Sequence, residues 1–502
     1  MFISASVPAA AQRPDMRGRE ILGRAAAALH VVERAPERLW LVEGTGRENL
    51  TGELQGLTAD APTWRTHQER VAVDWVEQSV AWERRTPRND ESLRHRRFIY
   101  APARTVVVDH ANQSTRVIPG DVPASDRRAL MRRIPHLLLA DLVSRNASGV
   151  RWLRATDVAG EPADEIVVNL PGDGAITLVI GREAPVVHSA SYRLHFPGRG
   201  DTAVQWRWIG WKRDAPLGYV PAGHRLTIGS DVFQDVTYTR FATGLAETTA
   251  MINPPVPEAP PTRPEPGSWT RAAAPAVGEV APGVHVARLS GFTVMFVEQA
   301  DGIVAFEAPE PFFGTDSIPA SDRDPAGKLT PQIIAHIQKT IPGKRITHVV
   351  VSHHHGDHMG GIRAFANAGA EIVISARDAD AARAALAAPH TILGDRVPMA
   401  PVVTAVNGRL RIGDGANAVD VIDAGDNPHT AANLVFWVPD AGAMIQGDLF
   451  YFTAGTGFHA GRARMNRFFA GWLRDRGLSP RFLYGVHNNG AAGPDAIAAA
   501  LR

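Results

Sequence analysis

The chain of 502 residues contains no cysteine. That excludes disulfides, thiolate metal ligands and cysteine nucleophiles, so any metal has to be held by His, Asp or Glu. There is also no stretch of eighteen or more consecutive apolar residues, the length a bilayer-spanning helix needs, so no transmembrane segment is expected. Charge of one sign is missing as well. The formal net charge is +1; residues 269–502 carry 20 Lys and Arg against 21 Asp and Glu, and the remainder 33 against 31. Neither part has the positive excess that phosphate-backbone binding favours, so nucleic acid is not an expected partner. The N-terminus, MFISASVPAAAQ, ends in small residues as a signal-peptidase site does, but has no basic start and no full apolar stretch. Residues 1–12 read either as the tail of a signal peptide, which favours a periplasmic or secreted location, or as a plain terminus.

What is present is a globular composition, 44% apolar and 21% charged. At roughly 100–200 residues per domain, two to four domains are expected. The sharpest boundary is Asn253 to Ser268, NPPVPEAPPTRPEPGS, whose prolines can join neither a helix nor a central strand and favour a stiff extended linker. The expected organisation is an N-terminal domain over 1–252, a linker over 253–268 and a C-terminal domain over 269–502.

Before the linker the pattern is mostly strand-like. Residues 71–82, 98–108, 166–170, 176–180, 204–211 and 232–241 alternate apolar and polar positions with period two, as strands with one buried face do. Amphipathic helices are expected over about 125–145, opened by Ser125 and Asp126, and over 20–32. Many strands with few helices imply a large curved antiparallel sheet, so the whole chain reads as α+β. This half loosely resembles the lipoprotein-carrier type of domain, in which a sheet wraps around a helix, and a lipid or other apolar ligand is what that resemblance implies. Its histidines, His67, His95, His110, His136, His188, His195 and His224, are scattered and read as ordinary surface or core residues.

After the linker, short strands alternate with helices. A hairpin is expected over 283–297, strands over 302–306, 346–352, 371–375, 418–422, 433–438 and 443–446, and helices over 329–340 and about 359–368. This order implies packed sheets with outer helices. The chemistry concentrates after the apolar strand, in Val349-Val350-Val351-Ser352-His353-His354-His355-Gly356-Asp357-His358-Met359-Gly360-Gly361. In an extended stretch residues i and i+2 point the same way, so His353 and His355 can face one metal. Asp357 and His358 lie further round the turn and can face a second. Gly356 permits the turn, Gly360 and Gly361 allow close packing, and Asp357 suits a helix N-terminus.

An H-x-H-x-D-H run after an apolar strand resembles the metallo-β-lactamase superfamily, and the resemblance extends over about residues 274–502. His429 in Asp426-Asn427-Pro428-His429 resembles that family's third histidine. Asp448 in Gly447-Asp448-Leu449-Phe450 resembles its metal-bridging carboxylate, and His487 in Val486-His487-Asn488 its last histidine. The resemblance implies an αββα sandwich holding two zinc ions, with iron or manganese as alternatives. His353, His355 and His429 would hold one ion, Asp357, His358 and His487 the other, and Asp448 both. Glu307 is either a supporting carboxylate or a loop residue. His354 is expected to point away from the metals, His348 to be an ordinary strand residue, and His459 to be a loop residue or part of the pocket wall. Tyr451, three residues after Asp448, resembles the tyrosine that contacts substrate oxygen in lactone-opening members; its other reading is an aromatic wall beside Phe450 and Phe452.

Asp448 argues against a dedicated β-lactamase, which usually lacks that Asp, and His355 against an oxygen-reducing member, which usually has Glu there. The expected activity is opening of a lactone or small carboxylic ester by a hydroxide bridging the metals, with Asp357 moving a proton and Tyr451 steadying the oxyanion. The alternatives are a thioester or phosphodiester hydrolase on the same site, or an apolar-ligand binding protein with a degenerate site.

Overall fold

The computed structural model describes residues 15–31, 37–49, 64–87, 93–110, 113–119, 124–145, 149–170, 174–196, 198–255, 278–289, 291–310, 329–392, 394, 397–459 and 462–502. Residues 1–12, and the linker from 256 to 268, lie outside them.

The strands of the N-terminal region are Leu39–Asn49 (β1), Trp64–Asp74 (β2), Ser79–Pro87 (β3), Leu93–Ala101 (β4), Arg104–Asp109 (β5), Ser114–Pro119 (β6), Gly149–Val158 (β7), Glu161–Leu170 (β8), Gly174–Gly181 (β9), Val187–Phe196 (β10), Gly200–Ile209 (β11), Lys212–Asp214 (β12), Gly218–Val220 (β13), Gly223–Ile228 (β14) and Asp231–Thr243 (β15). Thirteen of them form one sheet in the order β6-β5-β4-β3-β2-β1-β15-β14-β11-β10-β9-β8-β7, while β12 and β13 pair separately. The helices are Met16–Ala28 (α1), Ala124–Met131 (α2), Pro135–Ser144 (α3) and Ala246–Ile252 (α4). The large antiparallel sheet read from the alternation is therefore present.

Alternation along β1 to β4 feeds two cores. Trp40, Val42, Val71, Val73, Val80, Trp82 and Tyr100 pack with Leu130, Ile134 and Leu137 of the α2–α3 segment. Leu41, Ala72, Ala81 and Ile99 point the other way, onto Met251 and Ile252 of α4. A sheet covered on both faces explains why short stretches such as Val71-Ala72-Val73 are apolar at every position.

Four expected elements are corrected. The span 71–82 is two strands, because Asp74 Oδ1 accepts from Val76 N (3.1 Å) and Glu77 N (3.0 Å) and closes a turn before Gln78, whose φ is 51°. The span 98–108 is a hairpin that turns at Pro102 and Ala103. The helix over 125–145 breaks between Met131 and Pro135, since proline lacks the N–H and forces the preceding residue extended; Ile134 has φ −95° and ψ 113°. The first helix starts at Met16 rather than at 20, because the Asp15 side chain accepts from Arg17 N and caps it.

The C-terminal strands are Glu279–Ala281 (β16), Val284–Leu289 (β17), Phe292–Glu298 (β18), Ile303–Phe306 (β19), Ile346–Val350 (β20), Glu371–Ser375 (β21), Val403–Val406 (β22), Arg409–Ile412 (β23), Val419–Asp423 (β24), Leu434–Val438 (β25), Ala443–Gln446 (β26), Phe452–Thr453 (β27), Gly457–Phe458 (β28) and Phe482–Gly485 (β29). The helices are Leu329–Thr340 (α5), Gly356–Met359 (α6), Ile362–Asn367 (α7), Ala379–Ala387 (α8), Ala463–Asp475 (α9) and Pro494–Ala499 (α10). A seven-stranded sheet runs β16 to β22 in order, and a five-stranded one runs β23-β24-β25-β26-β29. The two share one core, in which Phe306 meets Phe436 with ring centroids 5.6 Å apart. Helices α5, α7 and α8 add Ile333, Phe365 and Ala382 to it, whereas α9 lays Phe469 and Leu473 against Val435 and Met444 of the second sheet. Burying a phenylalanine of this kind stabilises by roughly 1.5–3 kcal/mol. The helix expected over 359–368 is two shorter pieces, α6 and α7, separated by Gly360 and Gly361. A side chain at 361 would collide with Thr330, which is why that break is tight.

Candidate metal centre

Strand β20 ends at Val350, and the loop after it is tied to both sheets. Val351 N donates to Val373 O on β21, and Ser352 O accepts from Leu434 N on β25. The chain stays extended to His355 (φ −61°, ψ 143°), where α6 begins. His353 and His355 therefore share a face, with His353 Nε2 2.8 Å from His355 Nδ1. His429 comes in from the turn before β25, where Asn427 Oδ1 accepts from the backbone N–H of His429 and Thr430. Its Nε2 lies 3.2 Å from His353 Nε2 and 3.0 Å from His355 Nδ1. Three ring nitrogens, two of them on buried residues and the third on the half-buried His429, thus converge on one point.

A second group forms beside it. His487, in the loop after β29, places Nε2 3.2 Å from Asp357 Oδ2 and 3.3 Å from His358 Nε2. Asp448, just past β26, spans the two groups. Its Oδ1 is 3.3 Å from both His358 Nε2 and His487 Nε2, and its Oδ2 is 3.3 Å from His429 Nε2. All seven residues singled out in the sequence are brought together.

Burial, together with the neighbouring imidazoles, drives His353 and His355 well below the ordinary histidine range, and burial takes His429 down to about 4. These rings are neutral at pH 7, the form that ligates metal. Burial also opposes charge on His358, but Asp357, Asp448 and Glu307 outweigh it and raise that imidazole well above its usual value. Burial likewise pushes Asp448 up, and His487 and His358 foremost overcome it and hold the carboxylate well below its ordinary value.

Around the cluster, Glu307 is fully buried; its Oε1 accepts from Ser352 N (3.1 Å) and lies 3.4 Å from His358 Nδ1. A carboxylate on Nδ1 holds the proton there and orients the ring, so that Nε2 is the nitrogen a metal would take once it displaces the second proton. Of the two readings open for Glu307, the geometry has the supporting one. His354 points at Asp378 (3.1 Å), away from the cluster. His348 bonds Thr347 Oγ1 within β20, and His459 bonds Thr453 Oγ1 across the β27–β28 hairpin, with its ring 5.9 Å from that of Tyr451. Tyr451 is buried, and burial together with the adjacent Asp448 raises its phenol well above the usual value.

Several residues here escaped the sequence reading. Ser352 Oγ lies 2.8 Å from His353 Nδ1, and Asn433 Nδ2 3.3 Å from the same nitrogen. Asn466 of α9 pins the Tyr451 backbone, accepting from its N–H at 2.7 Å and donating to its carbonyl at 3.2 Å. The Arg462 guanidinium sits 4.2 Å over the Tyr451 ring. Gln446 Oε1 accepts from Leu449 N and Phe450 N and shapes the loop that carries Asp448. Its signal was available: a Gln closing the apolar strand Ala443-Met444-Ile445 has to be satisfied where it is buried.

The sequence model of the metallo-beta-lactamase superfamily matches residues 324–461. Among solved structures, the chain is similar to a metallo-beta-lactamase from Pontibacter korlensis, with 16% identity, 45% of this chain and 97% of that chain covered, and a TM-score of 0.33. It is similar to the DIM-1 metallo-beta-lactamase at 15% identity, covering 46% and 97%, with a TM-score of 0.32. A third is FIM-1 from Pseudomonas aeruginosa in its mono-zinc form, at 17% identity, 47% and 96%, and 0.32. A search of curated proteins gave no match. The matched residues 324–461 include the histidine loop, His429 and Asp448, so the segment that carries most of the cluster is the one that matches the metallo-beta-lactamase superfamily.

Proposed function

We propose that the C-terminal region, residues 269–502, is a binuclear metal-dependent hydrolase that opens a lactone or small carboxylic ester. On this reading residues 1–252 form a separate domain joined through the 253–268 linker, and the two C-terminal sheets with their helices are the αββα sandwich. The observation that carries the proposal is Asp448, with one carboxylate oxygen facing each nitrogen group. The donor set fits two ions of borderline hardness: it is all imidazole and carboxylate, the histidine trio is neutral, and its three nitrogens stand 2.8–3.2 Å apart, where each can donate or accept a proton but not both, so hydrogen bonds cannot pair all three. His353, His355 and His429 would hold one ion, Asp357, His358 and His487 the other, and Asp448 both. When bound, two zinc ions supply a water acidified to a pKa of about 7 and Lewis-acid polarisation of a carbonyl.

The chain's own groups supply the rest. Tyr451 stays protonated, since burial and Asp448 hold its phenol up, so it can donate to oxygen charge developing on the substrate. Asn466 fixes its backbone, and Arg462 covers its ring. Asp357 is ionised, with His358 and His487 overcoming the cost of burial, and is able to take a proton from the attacking water.

The test is a substrate panel on zinc-loaded full-length protein: lactones, nitrophenyl esters, thioesters and bis-nitrophenyl phosphate. The highest kcat/KM is expected on a lactone or ester, with Tyr451→Phe lowering kcat on it by about 10²-fold, the order lost with one oxyanion donor. Turnover of only thioester or phosphodiester moves the substrate class to those groups, and no turnover of any contradicts a hydrolase.

A further inference from the structure

The histidines of the first 250 residues look scattered along the chain, yet three adjacent strands gather two of them around a carboxylate. Glu83 on β3 stands opposite Arg97 on β4. His95 lies two residues before Arg97 and shares its face. His110, directly after β5, donates its backbone N–H to His95 O at 2.9 Å, which sets the two histidines side by side. Their rings stack at 4.2 Å with 23° between planes. His95 Nε2 is 3.0 Å from Glu83 Oε1, and His110 Nε2 is 3.7 Å from Glu83 Oε2.

We propose that Glu83, His95 and His110 form a mononuclear site for a borderline divalent transition-metal ion such as zinc, distinct from the C-terminal centre. Two atoms bound about 2.0–2.1 Å from one tetrahedral ion stand about 3.3 Å apart. The separations here, 3.0 and 3.7 Å, bracket that distance. Among the described residues, buried His110 Nε2 has no hydrogen-bond partner, which a cation between the three groups would supply. Burial and the neighbouring His95 hold the His110 ring below the ordinary histidine range, in the neutral form that ligates. Burial pushes the Glu83 carboxyl up, but His95 and Arg97 outweigh it and keep it anionic.

Arg97 Nε donates to Glu83 Oε2 at 2.5 Å, which fixes the carboxylate with Oε1 toward His95. Its charge also makes the site weaker than one built from ligands alone. The histidine side chains are 27% and 30% exposed, so the ion would exchange with solvent and keep a water as its fourth ligand. Its effect on the fold is to cross-link β3, β4 and β5 next to the sheet-edge strand β6.

The experiment uses the full chain, stripped of metal and titrated with zinc, with diethyl pyrocarbonate modification of histidines read peptide by peptide. Zinc at ten times its dissociation constant slows modification of His95 and His110 together by roughly tenfold. Magnesium, a hard cation that prefers oxygen ligands, leaves both unchanged. Glu83→Gln abolishes the zinc protection at both histidines while protection at His353 and His355 persists. Unaltered modification of His95 and His110 in the presence of zinc overturns the proposal, whatever happens at the C-terminal histidines. So does full protection in a folded Glu83→Gln chain. Should that variant not fold, the wild-type titration decides alone.

Discussion

Gly447, the residue before Asp448, is where the candidate metal centre can be perturbed without replacing any of its seven side chains. A Cβ built there would lie 2.5 Å from Ser352 Oγ, 2.9 Å from Ser352 Cβ and 3.2 Å from His353 Nδ1. The first two distances are shorter than packed atoms adopt, and Ser352 has no exposure and no free direction in which to move. Gly447→Ala must therefore displace either the Asp448 loop or the 352–353 segment. Overpacking of this kind costs about 1–3 kcal/mol. The displaced Ser352 is the group that positions His353, and loss of such an outer partner typically weakens metal affinity about 10–100-fold. Urea unfolding and competition for zinc against a chromophoric chelator read the two effects. Gly493→Ala is the control, because nothing lies within 4 Å of its added Cβ. Unchanged zinc affinity in Gly447→Ala, with Gly493→Ala equally silent, would refute the claim that the glycine is there to let Ser352 and the Asp448 loop approach.

Glu307→Gln should lower zinc affinity by about 10-fold or more with little change in helix and strand content by circular dichroism, because the carboxylate beside His358 Nδ1 is lost; equal affinity would remove its orienting role. Burial takes His136 and His224 down to about 4, whereas an unfolded chain protonates them near the ordinary histidine value. The folded pKa is the depressed one, so the stability they confer is complete above the ordinary value and is lost as pH falls towards 4. Each accounts for up to about 3 kcal/mol. Urea midpoints followed by tryptophan fluorescence should fall over that window and fall less in His136→Gln; a flat profile would contradict the burial argument. Gly471 lies inside α9 with no atom near its added Cβ, so Gly471→Ala should stabilise by about 0.5–1 kcal/mol in the same assay, and destabilisation would count against that helix.

The seven-residue cluster was legible because its chemistry is local and ordered. His353, His355, Asp357 and His358 sit in one loop, and His429, Asp448 and His487 each lie near a strand end, so spacing and strand pattern carried the information. Glu307 could be suspected from its place one residue past β19, but which way it pointed depended on the parallel pairing of β19 with β20. Asn466 and Arg462 carried no such signal: α9 approaches Tyr451 only through tertiary packing of Phe469 and Leu473 on the second sheet. The N-terminal alternation revealed the antiparallel sheet but merged β2 with β3, because the turn residues Trp75 and Val76 are as apolar as the strands they join, and β4 with β5, whose turn is only Pro102 and Ala103. The grouping of His95 and His110 with Glu83 was hidden for a related reason. It rests on cross-strand register over 27 residues, which periodicity within one strand does not contain. Among the described residues no helix is long and apolar enough to cross a membrane.

The central claim is that two metal ions share Asp448. Anomalous diffraction at the zinc edge, on crystals of the zinc-loaded chain, tests it most directly. Two peaks about 3.5–4 Å apart are expected, one among His353, His355 and His429 and the other among Asp357, His358 and His487, with Asp448 between them. A single peak, or none among these residues in fully loaded crystals, would contradict it.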